Sequence, residues 1–366
     1  MHFFLLSISC LKIFIHDMIC SGQDVIHYRP VLLESIELIM FYLQSYVLQP
    51  STIMFLSNRS PLIPITGPIV RVGPDEVHIM DSDFYEKIYN QTQRLDKSKY
   101  FYAMLGIPLA GFGTIKHEPH RMRRSALNPF FSAKAVANIK PMMDQLEQRL
   151  CERMEATAAR GEPVPLFYAY RCLTVDVISE YTFGGQSKLL EREDWGKSFY
   201  SGFRALWEIS PLVRQLPWIT PVMMALPRWL SAILNPKALE VLDLFAATEE
   251  GMKNLLAIDE EEIKTKSHRT AMWELAHSDQ LPPEEKSLKR LTEEAIAVIS
   301  GGFETTAATL TLATFLILQN PEVHRRLVKE LIEAIPNPRV MPSWQELAEL
   351  PYFSSVMKET LRLDAY

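Results

Sequence analysis

A glycine pair followed by an acid and two threonines is the part of this chain best suited to chemistry. The segment is Gly301-Gly302-Phe303-Glu304-Thr305-Thr306. In a helix, Gly301 and Thr305 lie on one face, because they are four residues apart. Adjacent glycines clear one turn of side chains, so a flat ligand can approach the backbone while Glu304 and Thr305 deliver or relay protons beside it. The alternative is tight helix packing at the glycines, with Glu304 paired to a lysine or arginine, and it stays open.

A long helix must carry this segment. Thr292 is a suitable N-cap residue with two acids in the first turn, and Asn320-Pro321 is a natural stop. Glu304 is the single charged residue between Ala295 and Asn320. The helix would be about 40 Å long at about 1.5 Å per residue, and it must cross the protein interior or a membrane. The threonines that follow Glu304 make a membrane span the less attractive choice.

A basic cluster between Lys116 and Arg124 forms a second candidate site. Pro119 suits the first turn of a helix, which places His120 and Arg124 on one face, four residues apart. Such a face suits anionic groups such as the carboxylates of a cofactor, because the arginine fork matches carboxylate geometry. A solvated basic helix, or a docking face for an acidic partner, is the alternative. A zinc site of the HExxH kind is disfavoured, because His117 and His120 are three residues apart instead of four.

A third feature is Glu359 with Arg362, which can form an ion pair on one helix face. The same spacing occurs at Glu118–Arg121 and at Glu322–Arg325, so the spacing alone carries little information. What distinguishes this copy is its order in the chain, in a helix that follows the glycine-pair helix.

The composition is that of a folded, mildly acidic protein. Of 366 residues, 48% are hydrophobic and 22% are charged, and the formal net charge is −6. These values exclude a disordered chain and a generally basic nucleic-acid binder, so we expect no nucleic-acid partner. The cysteines show no CxxC or regular spacing and support neither a disulfide framework nor a zinc ribbon. They are Cys10, Cys20, Cys151 and Cys172.

The expected fold is mainly α with a small β-sheet, an α+β architecture. Alternating residues on both sides of Gly73-Pro74-Asp75 predict a β-hairpin over 69–80. A Gly-, Pro- and aromatic-rich connection over 94–114 has the length of a functional loop. Helical periods dominate after it. The predicted helices are Glu118–Asn128, Ala133–Arg160, Tyr168–Phe183, Trp195–Glu208, Pro236–Ala257, Glu293–Gln319, Pro321–Ala334 and Pro351–Leu363.

The first 65 residues differ from the remainder, since they hold only seven charged side chains. We therefore divide the chain into an atypical N-terminal segment, 1–65, and a domain over 66–366. The apolar stretch Phe3–Ile15 is too short to cross a bilayer, and Val31–Leu56 is interrupted by charges and a proline. The N-terminal segment is either a poorly formed membrane anchor, buried structure or sequence foreign to the folded domain.

In combination, these motifs resemble the cytochromes P-450. Residues Gly301–Thr306 are similar to the oxygen-activating motif of that family's central helix, and Glu359–Arg362 resembles its E-x-x-R helix. His120–Arg124 resembles the helix that meets the haem propionates, and the three motifs occur in the family's order. The stretch Pro68–Ile79 is similar to a hairpin of fungal microsomal members. Among these, the sequence as a whole most resembles the trichodiene-oxygenase-like group.

The resemblance implies a haem-thiolate monooxygenase that inserts one oxygen atom of O2 into a hydrophobic small molecule of fungal secondary metabolism, a terpenoid being one candidate. It implies heme b as cofactor, an NADPH-cytochrome reductase as partner, and the cytosolic face of the endoplasmic reticulum membrane as location. The resemblance also implies roles for single residues. Glu304 and Thr305 would deliver protons, and the groove for oxygen and substrate would be formed by Gly301, Gly302 and Thr306. The haem propionates would be held by His120 and Arg124, and a structural ion pair beneath the haem would be formed by Glu359 and Arg362.

One part of the family's pattern is not found in the sequence. The family's iron ligand lies in a cysteine loop after the E-x-x-R helix, whereas the sequence given ends at Tyr366 and all four cysteines precede the central helix. We therefore expect a C-terminally truncated fragment that has no metal ligand and is inactive as written. The alternatives are a non-catalytic helical binding or scaffold protein derived from the family, and a polytopic membrane protein, which would need further apolar spans.

Overall fold

The computed structural model describes residues 68–364 except 72–76, 91, 186, 217, 235, 265–269 and 336–341. The N-terminal segment 1–65, Cys10, Cys20 and the predicted hairpin turn at 73–75 lie outside the described residues. So does the end of the chain after Asp364.

The predicted hairpin strands are present as a two-stranded antiparallel sheet. Strand β1 is Ile69–Arg71 and β2 is Val77–Ile79, and Ile69 pairs with Ile79. The sheet is the only one among the described residues, and the remainder of the described chain is dominated by helices, so the predicted fold class is confirmed.

Two short helices lie between the sheet and the basic cluster, and longer helices follow up to residue 234. They are α1 Tyr85–Ile88, α2 Lys99–Tyr102, α3 His117–Leu127, α4 Ala133–Asn138, α5 Lys140–Ala159, α6 Leu166–Phe183, α7 Lys197–Gln215, α8 Ile219–Ala225 and α9 Arg228–Leu234. The later helices are α10 Pro236–Leu256, α11 Glu260–Lys264, α12 Ala271–His277, α13 Leu288–Gln319, α14 Pro321–Ala334, α15 Trp344–Glu349 and α16 Pro351–Asp364.

Helices α6 and α13 cross at the centre of the core. Helix α6 is buried on nearly all sides, and α13 contributes Phe303, Ala307 and Leu310 to the same apolar cluster. Two hydroxyls pair across the crossing: that of Thr174 donates to the Phe303 carbonyl at 3.1 Å, and that of Tyr170 lies 2.9 Å from the Thr314 hydroxyl. Such pairing is favourable because an unpaired buried polar group costs free energy.

Three predicted helices have the wrong bounds. The helix predicted over Trp195–Glu208 is α7, Lys197–Gln215. The long helix begins at Leu288 and is capped by Ser287, whose hydroxyl accepts from the Arg290 backbone N–H, so Thr292 is an interior residue instead of the N-cap. The extra turn is favourable because its charged side chains are paired inside the protein. Arg290 donates to Glu285, and Glu293 and Glu294 accept from backbone N–H groups of the connection. The predicted helix over 133–160 is two helices, α4 and α5, separated at Ile139.

Helix α13 is long and apolar enough to cross a membrane by length and composition, the one described helix with this property. Half of its most apolar 18-residue stretch is buried inside the protein. Its position against α6 shows that it runs through the core, as the threonine content favoured.

Candidate active site on the central helix

The two glycines of α13 have different surroundings. A Cβ atom added at Gly301 would meet no atom within 4 Å, so this position faces open space. A Cβ at Gly302 would lie 2.7 Å from Ile178 Cγ1 of α6, closer than real contacts allow. Both interpretations of the glycine pair are therefore present in one helix: Gly301 leaves an open groove, and Gly302 permits close packing. The expectation that Gly302 also lines the groove does not match its position.

The two threonines diverge in the same way. Thr305 is exposed on the open face, and its hydroxyl donates to the Gly301 carbonyl at 2.9 Å. Thr306 is buried, with 3% of its surface exposed, and its hydroxyl has no hydrogen-bond partner among the described residues. Thr305 therefore shares the groove with Gly301, whereas Thr306 points into the protein.

Glu304 is held by a buried arginine of α6. Arg171 Nε donates to Glu304 Oε2 at 3.0 Å and Nη2 donates to Oε1 at 2.5 Å, in a bidentate pair in which both side chains are less than a tenth exposed. The guanidinium also donates to the Phe167 carbonyl at 3.0 Å and stacks on the Phe167 ring. The structure thus pairs Glu304 with a cation and does not place its carboxylate on the open face with Thr305.

Arg171 was not identified from the sequence. It lies in α6, which also carries Asp176 and Glu180, 133 residues before Glu304. The single cation of a helix that is buried on nearly all sides is a usable signal, because such a charge must find a buried partner. Tyr200 lies beside this pair, with its ring centroid 5.1 Å from the Arg171 guanidinium. Burial, and then the charge of Glu304, raises the pKa of Tyr200 to about 12.

His120 and Arg124 lie on helix α3, as the spacing predicted. His120 is partly buried and Arg124 is exposed. Burial lowers the pKa of His120, and the positive charges of Lys97, Arg124 and His117 lower it further. Burial also lowers the pKa of Lys97 to about 8, although Glu294 opposes this shift. Lys97 and Arg124 beside this histidine form a positive surface that would attract an anionic group.

A buried charge network anchors the connection to the central helix, and sequence analysis missed it. Arg123 donates to both carboxylate oxygens of Glu285, at 2.6 and 2.7 Å, and Glu285 also accepts from Arg290 at 3.0 Å. Arg290 in turn lies 2.5 Å from Glu294, which accepts from the Gly111 backbone N–H at 2.9 Å. Arg123 and Glu285 are 162 residues apart in the sequence, so no local sequence pattern could predict this network.

The predicted ion pair of α16 forms. Arg362 Nε donates to Glu359 Oε2 at 2.7 Å, and Nη2 donates to Oε1 at 2.6 Å. The side chains are 59% and 54% exposed, so the pair does not lie in a buried core here, because no described element packs over this face. In isolation the pair has the character of a solvent-exposed helix pair.

Two of the four cysteines lie within the described residues, and both are buried. Cys151 is in α5 and Cys172 is in α6. Burial, and then the charge of Asp176, raises the pKa of Cys172 to about 12, so this thiol stays protonated at neutral pH. No group of three His, Cys, Asp or Glu residues suited to a metal ion is found in the described part of the chain.

Comparison with known proteins gives the family. The family model described as Cytochrome P450 matches residues 66–365. A Cytochrome P450 monooxygenase, tpcC, of Cochliobolus heterostrophus is 32% identical over 300 residues, which are 82% of this chain and 57% of that protein.

Two further relatives extend this result. A Grayanic acid biosynthesis cluster cytochrome P450 monooxygenase of Cladonia grayi is 34% identical over 78% of this chain and 53% of its own length. The N-acetyltryptophan 6-hydroxylase ivoC of Emericella nidulans is 33% identical over 81% of this chain and 58% of its own length. The chain thus spans a little over half the length of these relatives. With a family model over most of its residues and relatives above 30% identity, the chain belongs to the cytochrome P450 family, among fungal members.

Proposed function

We propose that this chain forms the oxygen-side wall of a haem-dependent monooxygenase that inserts one oxygen atom of O2 into a hydrophobic small molecule. The observation that carries the proposal is the open face of α13, where Gly301 has no neighbour and Thr305 presents its hydroxyl. The names of the relatives support a monooxygenase of fungal secondary metabolism. A terpenoid is one candidate substrate, and it rests on the motif resemblance alone.

Two described features, on separate helices, would suit a planar group that carries carboxylates. Gly301 leaves the space that a side chain would fill, and Arg124 with His120 offers cationic and hydrogen-bonding partners for carboxylates. Heme b, when bound, would supply the redox chemistry that activates O2. His120 and Arg124 would hold its propionates.

The chain's own side chains would manage the protons. The Thr305 hydroxyl, which donates to the Gly301 carbonyl, can turn and donate to an oxygen atom on the open face. Glu304 would join proton delivery by exchanging one of its bonds to Arg171 for a bond to water or to Thr305. Arg171 is then a positioning residue, because it fixes where the Glu304 carboxylate starts.

The described cysteines do not fit the role of thiolate ligand. Both thiols are buried in the helical core, with 7% of Cys151 and 1% of Cys172 exposed, so a planar group cannot reach either sulfur in this fold. We accordingly propose that the chain in isolation binds haem without a thiolate bond and is inactive as a monooxygenase. The same observation favours the second candidate, a non-catalytic binding protein derived from the family.

Haem titration of the purified full chain tests this proposal. Arg124→Ala is expected to weaken haem binding about tenfold, which corresponds to the loss of one hydrogen bond to a charged group. The control Arg325→Ala removes an exposed arginine of α14 and should leave the affinity unchanged. Equal affinities for Arg124→Ala and the unchanged chain would contradict the propionate role. A thiolate-type ferrous–CO spectrum would contradict the proposed inactivity and the second candidate.

Helices α8 and α9 and the segment before them expose an apolar surface that fits a membrane. Its members are Trp218, Val222, Met224, Trp229 and Ile233, of which Ile233 is 72% exposed. An exposed apolar cluster with tryptophans is typical of a membrane or protein interface. We propose that this surface lies on the cytosolic face of the endoplasmic reticulum membrane, where an NADPH-cytochrome reductase would supply electrons.

Flotation with phosphatidylcholine vesicles tests the membrane surface. Replacing Trp218 and Trp229 with serine should lower the vesicle partition coefficient at least about tenfold, because burying one large apolar side chain contributes about 1.5–3 kcal/mol. Ile332→Ser, at an exposed apolar residue of α14, is the matched control. Flotation that is unchanged in the double tryptophan variant would show that membrane binding uses another part of the chain.

A further inference from the structure

The two adjacent arginines of α3 have opposite surroundings. The guanidinium of Arg123 donates to both carboxylate oxygens of Glu285. Its Nη1 also donates to the Leu109 carbonyl at 2.8 Å and to the Thr114 hydroxyl at 2.7 Å. Arg124 is exposed, and it has no hydrogen bond or ion pair among the described residues. The first arginine is therefore held inside the protein, and the second is available to an anionic group.

The contacts of Arg123 fix the rotation of α3 about its own axis. Successive residues of a helix are about 100° apart, so Arg124 points away from the side that Arg123 occupies. His120 lies on the Arg124 face, because it comes four residues earlier. A bidentate pair of guanidinium and carboxylate allows little freedom of orientation. By holding Arg123, Glu285 therefore also determines where His120 and Arg124 point.

Glu285 is in turn held at the start of the central helix. It belongs to a short 3₁₀ helix, Pro283–Lys286, directly before α13. Arg290 Nε donates to the Glu285 Oε2 atom at 3.0 Å, and Arg290 is only 2% exposed. The hydrogen bond from Arg123 lowers the pKa of Glu285, although burial opposes this shift, so the carboxylate is ionised at neutral pH. Glu285 therefore joins α3 to α13 through two charged hydrogen-bond partners.

The same network places a cation beside His120. Glu294 of α13 accepts from the Gly111 backbone N–H at 2.9 Å, and Lys97 Nζ donates to the Gly111 carbonyl at 3.1 Å. Burial is the main cause of the lowered pKa of His120, and the charges of Lys97 and Arg124 lower it further. The pKa of His120 therefore reports how α3 sits against its neighbours.

We infer that Glu285 is a positioning residue for the anion-holding pair His120 and Arg124. It acts through Arg123, by holding α3 at the rotation that presents both side chains to one anionic group. Partners that are already in place bind more tightly, because less conformational freedom is lost on binding. The inference rests on the proposed role of His120 and Arg124 in holding propionates, and Glu285 itself contacts no ligand.

NMR titration of the histidine ring protons in the full chain, without haem, tests the positioning. Glu285→Gln keeps the shape of the side chain and removes its charge, so α3 loses its fixed rotation. The pKa of His120 should then rise toward the ordinary value of about 6.5, because burial and the neighbouring cations lower it less. His324 of α14, whose pKa is also lowered by burial, should not change. The control variant Glu322→Gln, at an exposed pair with Arg325, should shift neither histidine.

Thr114→Val is a milder variant that serves if Glu285→Gln does not fold. It removes one acceptor of Arg123 Nη1 and leaves Glu285 in place. It should raise the pKa of His120 by a smaller amount, and an unchanged value would contradict the inference. A joint shift of His120 and His324 would indicate a general loosening of the chain and would contradict it as well.

Haem titration connects this position to binding. Glu285→Gln should weaken haem binding about threefold, and it should have no further effect once Arg124 is replaced by alanine. Either an unchanged pKa of His120, or an equal loss of haem affinity with and without Arg124, would overturn the inference while leaving the proposed function in place. If Arg124→Ala alone leaves the haem affinity unchanged, the proposed propionate role fails instead, and the role of Glu285 fails with it.

Discussion

Arg171→Met is expected to lower the free energy of unfolding by about 3–5 kcal/mol, because it leaves the Glu304 carboxylate buried without its cation. Both side chains are less than a tenth exposed, and two hydrogen bonds join them, at 3.0 and 2.5 Å. Urea unfolding of the full chain measures the loss as a lower transition midpoint.

The double variant Arg171→Met with Glu304→Leu separates the value of the pair from the cost of the orphaned charge. It should recover most of the lost stability, because replacing a buried pair with apolar residues is often neutral. Arg362→Met is the exposed counterpart and should leave the midpoint unchanged, since water solvates Glu359 when its partner is removed. A midpoint for Arg171→Met equal to that of the unchanged chain would show that the buried pair is not formed in solution.

Gly302→Ala is expected to destabilise the chain by about 1–3 kcal/mol, the usual cost of overpacking a core. The new methyl group would lie 2.7 Å from Ile178 Cγ1 and 2.9 Å from its Cδ1, so α6 and α13 must separate or Ile178 must leave its rotamer. Thermal or urea unfolding gives the measurement.

Gly301→Ala is the matched control one residue earlier in the same helix. It should stabilise the chain by about 0.5–1 kcal/mol, because alanine is the better helix former and nothing lies within 4 Å of the new methyl group. Adding Ile178→Ala should remove most of the penalty of Gly302→Ala, which would locate the clash. Equal effects of the two glycine substitutions would contradict the division of the pair into an open and a packed position.

The two variants also bear on the proposed oxygen side. Gly301→Ala should leave the fold intact while narrowing the groove beside Thr305, whereas Gly302→Ala acts on the packing of α6 against α13. The two substitutions therefore distinguish the packing role of Gly302 from the groove role of Gly301. This matters because a stability defect would otherwise be mistaken for a defect in ligand binding.

Much of the fold followed from local patterns. The alternating residues gave the strands of the hairpin, and the apolar run after Ala295 required a long interior helix. Helix ends were less well determined: the N-terminus of α13 lies at Ser287 because Arg290 and Glu294 find buried partners, and a capping signal at Thr292 could not reveal those contacts. The family could be predicted from the order of the motifs, since three short motifs follow one another along the chain in the order found in known members.

Residue types and their spacing identify the residues that could do chemistry and the element that carries each. They place Gly301, Glu304 and Thr305 on one helix, and His120 with Arg124 on another. The neighbour of each residue became known from the folded chain: Glu304 meets Arg171, Gly302 packs on Ile178, and Gly301 with Thr305 faces open space. The physical reason is that helical periodicity fixes angles within one helix, whereas the neighbour met at each angle comes from residues more than a hundred positions away.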